Sequence, residues 1–198
     1  MARRVFFSFH YNGDVQRAWI VRNSWVTQDR ESAGFYDSSA FEEAKDKSDS
    51  ALKVFLNEEL LGSSVLCVLA GAETSSRRWV RYEMLRAFVT GKGMLCVHLH
   101  ELKNLDGVSS PKGANPLDEL AYKTDSDGKF TLHERIGGVW QRSSDFGDVY
   151  RTSSVPYDLQ ANAYIKLSSL FYERAFVAND GRAHMAVWFE NAARDAGR

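Results

Sequence analysis

The sequence predicts an open α/β fold of flavodoxin-like type, in three layers with a mainly parallel central sheet. Three short runs, Val5–Phe9, residues 64–70 and residues 94–99, are almost free of polar residues, as strands covered on both faces are. Helical stripes separate them: Leu52, Phe55, Leu56 and Leu60, then Trp79, Val80, Glu83, Met84, Ala87 and Phe88, each at the i, i+3/i+4 spacing of one helix face. The alternation of strand, helix and strand is the pattern of parallel crossover units.

The first run leads into a helix over residues 15–23, and a short strand is expected at residues 34–36. The two striped helices and the runs at 64–70 and 94–99 complete the unit. From Asn104 onward the texture changes. Pro111 and Pro116 mark loop, and Asp127-Gly128 and Gly137-Gly138 are hairpin turns,. They separate expected strands at residues 121–123, 130–134 and 139–141. A long helix over residues 162–178 and a shorter one over 183–193 are expected to follow. The organisation is therefore a core over residues 1–103 and a C-terminal extension over 104–198, an antiparallel insert and helices, packed on the same domain.

Composition narrows the function classes. The 198 residues carry 25 Lys+Arg against 26 Asp+Glu, a net charge of −1, so bulk electrostatics favours neither nucleic acid nor an anionic membrane. No apolar stretch approaches the roughly 18 residues of a membrane span, and no signal-peptide core follows Met1-Ala2-Arg3-Arg4,. A cytoplasmic protein is expected. Cys67 and Cys96 each stand alone in an apolar run, which suits reduced, buried thiols rather than a disulfide or zinc framework.

In such folds the ligand crevice lies at the carboxyl ends of the strands, where the connections switch direction; here that is beside the first and third strands. The loops leaving them are His10-Tyr11-Asn12-Gly13-Asp14 and residues 71–76, and the second opens a helix whose N–H groups suit a phosphate. Phe9, His10 and Asp37 fall at carboxyl ends of adjacent strands and are candidate substrate contacts. Glu83 is the sharpest anomaly, a carboxylate on the apolar stripe of its own helix. It is either the ion-pair partner of Arg86 or a neighbouring arginine, or a functional acid. His98 and His100 share a strand face but lack a third ligand, and Gly91-Lys92-Gly93 lacks the first glycine of a phosphate loop. No metal site is expected.

The strings Arg4-Val5-Phe6-Phe7-Ser8-Phe9-His10-Tyr11, Phe35-Tyr36-Asp37 and Trp79-Val80-Arg81-Tyr82-Glu83 together resemble the TIR domain. With residues 21–27 and Lys112-Gly113-Ala114-Asn115-Pro116-Leu117-Asp118, the chain is similar over nearly its whole length to the TIR-like subunit of the bacterial Thoeris anti-phage system. The Trp-x-x-x-Glu pair is the motif of TIR domains that cleave NAD+. The resemblance implies that Glu83 is catalytic, that Trp79 walls the substrate pocket, and that NAD+ is substrate, with no further cofactor. It implies release of nicotinamide and formation of a cyclic ADP-ribose-type signal that diffuses to a separate effector, with a phage-derived trigger. The segment Ser38-Ser39-Ala40-Phe41-Glu42-Glu43 departs from the loop of animal TIR domains. Alternatives left open are a non-catalytic TIR interaction module, a nucleotide sensor, and a relative that joins ADP-ribose to histidine; a homo-oligomer is also open.

Overall fold

The computed structural model describes residues 4–26, 33–34, 41 and 45–198. Its element order is β1 (Val5–Phe9), α1 (Tyr11–Val26), β2 (Ala33–Gly34), α2 (Asp49–Leu60), β3 (Val65–Ala70), α3 (Arg78–Val89) and β4 (Gly93–His98). Then come β5 (Leu120–Thr124), β6 (Lys129–Ile136), β7 (Val139–Arg142), β8 (Tyr150–Arg151), β9 (Tyr164–Lys166), β10 (Tyr172–Ala175) and α4 (Gly181–Asp195).

β1, β3 and β4 are buried at every position, as their unbroken apolar runs require. They sit inside a five-stranded sheet of order β10-β4-β3-β1-β2, parallel at every pairing. The chain moves outward from β1 to β2 and then returns to β3 on the other side, so the switch point lies between β1 and β3, as expected. Phe6, Leu66, Val68, Met94 and Cys96 face a core shared with α2 and α3; Phe7, Cys67, Leu69, Leu95 and Val97 face α4 and α1. That alternation is the strand period of two, with both faces covered.

The second sheet, of order β7-β6-β5-β9 with β8 also paired to β6, is antiparallel. Gly137 and Gly138 turn β6 into β7 with φ of 58° and 82°, the two positive values a tight primed turn needs. This sheet packs on the far side of α3: Phe88 stacks with Tyr122 at 6.0 Å and meets Phe130 edge-on at 5.8 Å. α3 thus lies between two sheets, and seven of its twelve residues, Glu83 among them, are buried.

The helix expected over residues 162–178 is not there. That segment is β9, a short 3₁₀ turn at Leu167–Ser169, and β10. Its backbone groups pair with the free edges of β5 and β4, and this tertiary pairing decides the segment's conformation over any local helical tendency. The residues after 104 therefore build the second sheet and also supply the fifth strand and one covering helix of the first. The expected strand at 34–36 begins with Ala33–Gly34 beside Val5 and Phe6; residues 35–36 lie outside the described ones.

Cys67 and Cys96 are free and fully buried, and burial pushes both thiols well above their ordinary pKa, so neither supplies a thiolate. Cys67→Ala and Cys96→Ala are each expected to cost about 1–2 kcal/mol of stability through a small cavity and to leave turnover intact. Thermal melting and nicotinamide release on the two variants check this.

Candidate active site

The carboxyl end of β1 hands directly to α1, so Phe9, His10, Tyr11 and Asn12 follow one another around the rim of the switch point. Across from them the first turn of α3 presents Arg77, Arg78, Trp79 and Val80, and with Phe41 and Lys45 these residues enclose a cavity of about 220 Å³. Aromatic faces make much of the lining; Tyr11 stacks on Phe9 at 6.2 Å. The polar groups are largely cationic. Arg77, the residue ahead of α3, gives no side-chain cap, and no acid lies in the first turn, so the orphan N–H groups and positive dipole end of α3 are left to an anion.

Arg78 braces this corner. Its guanidinium donates through Nε and Nη2 to the two carboxylate oxygens of Asp145 at 3.0 and 2.8 Å, and through Nη1 to Asp49 at 2.6 Å. It also lies over the Trp79 ring, 4.6 Å from its centroid, while Trp79 meets Tyr82 edge-on at 5.8 Å. Asp145 comes from the antiparallel insert and Asp49 from α2, so one guanidinium ties two elements to the wall that carries Trp79. The bidentate fork is the geometry that Lys cannot reproduce. Arg78→Lys is expected to raise KM for substrate several-fold with a loss of stability of about 1 kcal/mol, because the guanidinium is itself exposed and Lys53 still pairs with the largely buried Asp145 carboxylate,; steady-state kinetics and melting decide it.

Glu83 sits one helical turn along α3 from Trp79 and is not part of the cavity lining. Its side chain faces the parallel sheet, where Ser8 Oγ donates to Oε2. The residue is 1% exposed, and among the described residues Oε1 has no hydrogen-bond partner. Burial pushes the carboxyl up to about 8, against the opposing pull of the Ser8 hydrogen bond. An acid so placed is neutral or charged within the physiological range according to small changes in its surroundings. The Arg86 pairing that helix spacing offers is not formed: Arg86 lines a different cavity, with Lys92 and Arg198. The partner of Glu83 lies 75 residues away, in a strand whose one polar residue, Ser8, was the signal that could have named it.

The loop at 71–76, expected to cradle phosphate, is occupied by the protein itself. Thr74 Oγ1 donates to Asp14 Oδ2 at 3.2 Å and accepts from Gly71 N–H at 3.0 Å. The Asp14 carboxylate lies so close over Gly71 that a Cβ there would stand 2.0 Å from Oδ1. Burial raises the Asp14 pKa, and a carboxylate in that cradle disfavours a second anion. Asp14 also approaches Arg17 at 4.0 Å, and Arg17 donates to the carbonyls of Leu102 and Val108 at 2.8 Å each, so the network clamps the loops at the carboxyl end of the sheet.

Of the expected site residues, the structure brings Phe9, His10 and Trp79 to one cavity, while Glu83 is not in its lining and lies one helical turn along α3 from Trp79. Asp37 lies outside the described residues. Lys45, Arg77, Arg78, Tyr11 and Asn12 join the wall without having been singled out as contacts. His98 Nε2 meets Glu173 Oε1 at 2.8 Å, and among the described residues no group of three or more His, Cys, Asp or Glu is arranged to hold a metal. Among them also, no helix is long and apolar enough to cross a membrane.

A parallel sheet with its crevice at the β1/β3 switch and a glutamate on the helix after the third strand defines a TIR-like domain. Residues 6–104 match the family described as "Thoeris protein ThsB, TIR-like domain". Over 191 residues, 95% of this chain and 99% of the relative, the sequence is 40% identical to a Bacillus cereus (strain MSX-D12) protein named "Putative cyclic ADP-D-ribose synthase ThsB1". The chain belongs to the ThsB family.

Proposed function

We propose that this protein cleaves the nicotinamide–ribose bond of NAD+ and converts the ADP-ribosyl group to a cyclic product that signals to a separate Thoeris effector. The observation that carries the reading is the Glu83 carboxyl, buried and, among the described residues, without a cation partner, one helical turn along α3 from the Trp79 that lines a cleft rich in aromatic and cationic groups. The 40% identity to a relative named as a cyclic ADP-D-ribose synthase supports the product class.

The chemistry follows from what the carboxylate lacks. When the bond breaks, its electron pair goes to the pyridinium nitrogen, nicotinamide leaves neutral, and positive charge collects on the ribosyl carbon and ring oxygen. A carboxylate with no cation of its own among the described residues is stabilised by that developing charge more than by the ground state, which is the condition for lowering a barrier,. Closure then needs an oxygen on the adenosine side to attack the ribosyl carbon and give up its proton; attack by water yields linear ADP-ribose instead. The first course is favoured where the bound dinucleotide folds back on itself and keeps water from the ribosyl carbon.

A cavity of about 220 Å³ is below the roughly 300–1,000 Å³ usual for small-ligand sites, and holds one end of a dinucleotide. In this reading the nicotinamide end takes the aromatic lining by Phe9 and Trp79, and the diphosphate lies toward Arg77, Lys45 and the first turn of α3. Asp37, at the carboxyl end of the strand next to β1 in the expected order, is assigned a contact to a ribose hydroxyl. Asp37→Ala is expected to weaken cleavage at least several-fold with the melting temperature within a few degrees of the parent's.

Purified protein incubated with NAD+, with nicotinamide release followed and the product weighed by mass spectrometry, tests the function. A cyclic product lacking the mass of water relative to ADP-ribose supports it. Saturable NAD+ binding without release, under conditions that activate the parent system in infected cells, overturns it.

A further inference from the structure

The amino-terminal edge of the parallel sheet, away from the switch point, holds a second cavity of about 300 Å³. Its wall includes Arg86, Lys92 and Arg198 together with the neutral polar residues Asn57, Ser64 and Thr90, and among the described residues no Asp or Glu contributes to it. Arg4 adds a fourth cation at its margin, its guanidinium lying over Gly62.

The way α3 ends explains how these groups converge. Gly91, with φ of 64°, stops the helix; Gly91 N–H donates to Phe88 O and Lys92 N–H to Ala87 O, at 3.0 Å each, the paired bonds of a Schellman motif. The stop delivers Lys92 to the interior, 6% exposed, where Nζ donates to Ser63 O at 2.8 Å. Arg198, after α4, donates to Gly91 O at 3.0 Å and to Thr90 O at 2.7 Å. Arg86, one turn before the stop, has no acidic partner among the described residues.

Carbonyl capping accounts for one donor on Lys92 and two on Arg198. It does not account for Arg86, nor for a pocket in which cations gather with, among the described residues, no acidic side chain to balance them. Burial, together with the cations Arg198, Arg86 and Arg4, pulls the pKa of the Lys92 amine down to about 8. Like charges held together in a partly desolvated pocket are costly unless an anion enters, and guanidinium and ammonium groups around a cleft of this size match a phosphate group.

We propose that this cavity is a second anion-binding site, distinct from the Glu83 cleft, that takes a soluble phosphate-bearing small molecule of about the size of a diphosphate or a sugar phosphate. The volume exceeds what a lone orthophosphate fills and is at the small end of small-ligand sites. The Gly91-Lys92-Gly93 segment contributes here through a side chain and a helix stop, not as a phosphate loop.

The test reads binding rather than turnover, so it stands apart from NAD+ cleavage. Inorganic pyrophosphate and ribose 5-phosphate are titrated calorimetrically into the whole protein at fixed ionic strength, with sulfate as comparison, and again into Arg86→Gln, Arg198→Gln and Glu83→Gln variants. Saturable binding of either phosphate compound, tighter than sulfate, is expected in the parent and in Glu83→Gln. Each arginine variant is expected to bind at least tenfold more weakly, the usual loss for one charge-assisted contact. Arg86→Gln keeps the aliphatic stem and removes no capping bond, so it stays informative if Arg198→Gln is unstable. Equal affinity of parent and Arg86→Gln, or no saturable binding of either compound, overturns the proposal. So does Arg86-dependent capture by anionic phospholipid vesicles without affinity for the soluble compounds.

Discussion

Glu83→Gln is expected to lower NAD+ turnover by on the order of a hundredfold or more, the usual consequence of removing one preorganised electrostatic stabiliser, while the fold survives. The parent supplies its own cross-check through pH. Ionised Glu83 is the working form in this reading, and its pKa in the folded protein is about 8, so kcat/KM is expected to rise with pH and level off above that value. Stability runs the other way. An unfolded chain releases this proton near pH 4.5 and the folded protein near 8, so between the two the native state binds more protons. Stability is then expected to fall by about 1.4 kcal/mol per pH unit from this group alone. The Gln variant loses that slope and melts higher than the parent above pH 8. Melting and kinetics measured together across pH 5 to 9 decide it: a Glu83→Gln variant with parental turnover removes Glu83 from catalysis, and an unchanged slope removes the buried-acid account.

Gly113→Ala is expected to be the most destabilising single methyl in the chain's site region. A Cβ at Gly113 would stand 1.9 Å from the Gly71 carbonyl oxygen and 3.0 Å from that of Ala72. Both obstacles are backbone, in a loop already fixed by Asp14 and Thr74, so no side-chain rotation relieves the clash. Such overpacking costs about 3 kcal/mol, and because the 71–76 loop leads into α3, the loss is expected to reach the Trp79 wall. Chemical denaturation gives the first number. A variant as stable as the parent shows that the two loops separate freely.

The parallel core was legible because its chemistry is local. An unbroken apolar run such as Val65–Ala70 has one reading when helical stripes lie on either side, and the position of Glu83 on its helix follows from spacing alone. What it touches does not. Helix geometry offers Arg86 three residues on, whereas the actual donor, Ser8, is brought in by sheet packing over a separation no spacing rule spans. The missed strands fail for a related reason. β10 is Tyr-Glu-Arg-Ala at a sheet edge, half in solvent, without the β-branched run that marks a buried strand; only the free edge of β4 makes it one. Lys45 and Arg78 were equally hidden, since a cation becomes part of a cleft through the element it packs beside.

The place of β10 bears on how the chain is made. Until residues 172–175 have emerged, the β4 edge has no neighbour, and α4, which covers Leu95 and Val97, has not yet been synthesised. A nascent chain ended near residue 104, where the family match stops, therefore exposes an unpaired parallel edge and an uncovered apolar face, the two features that invite edge-to-edge association. The intervening antiparallel sheet pairs over shorter sequence separations and closes its hairpins at less entropic cost. β10 and α4, which are translated after the rest of the parallel sheet, are thus what seals it, and until they emerge that sheet stays open along the β4 side.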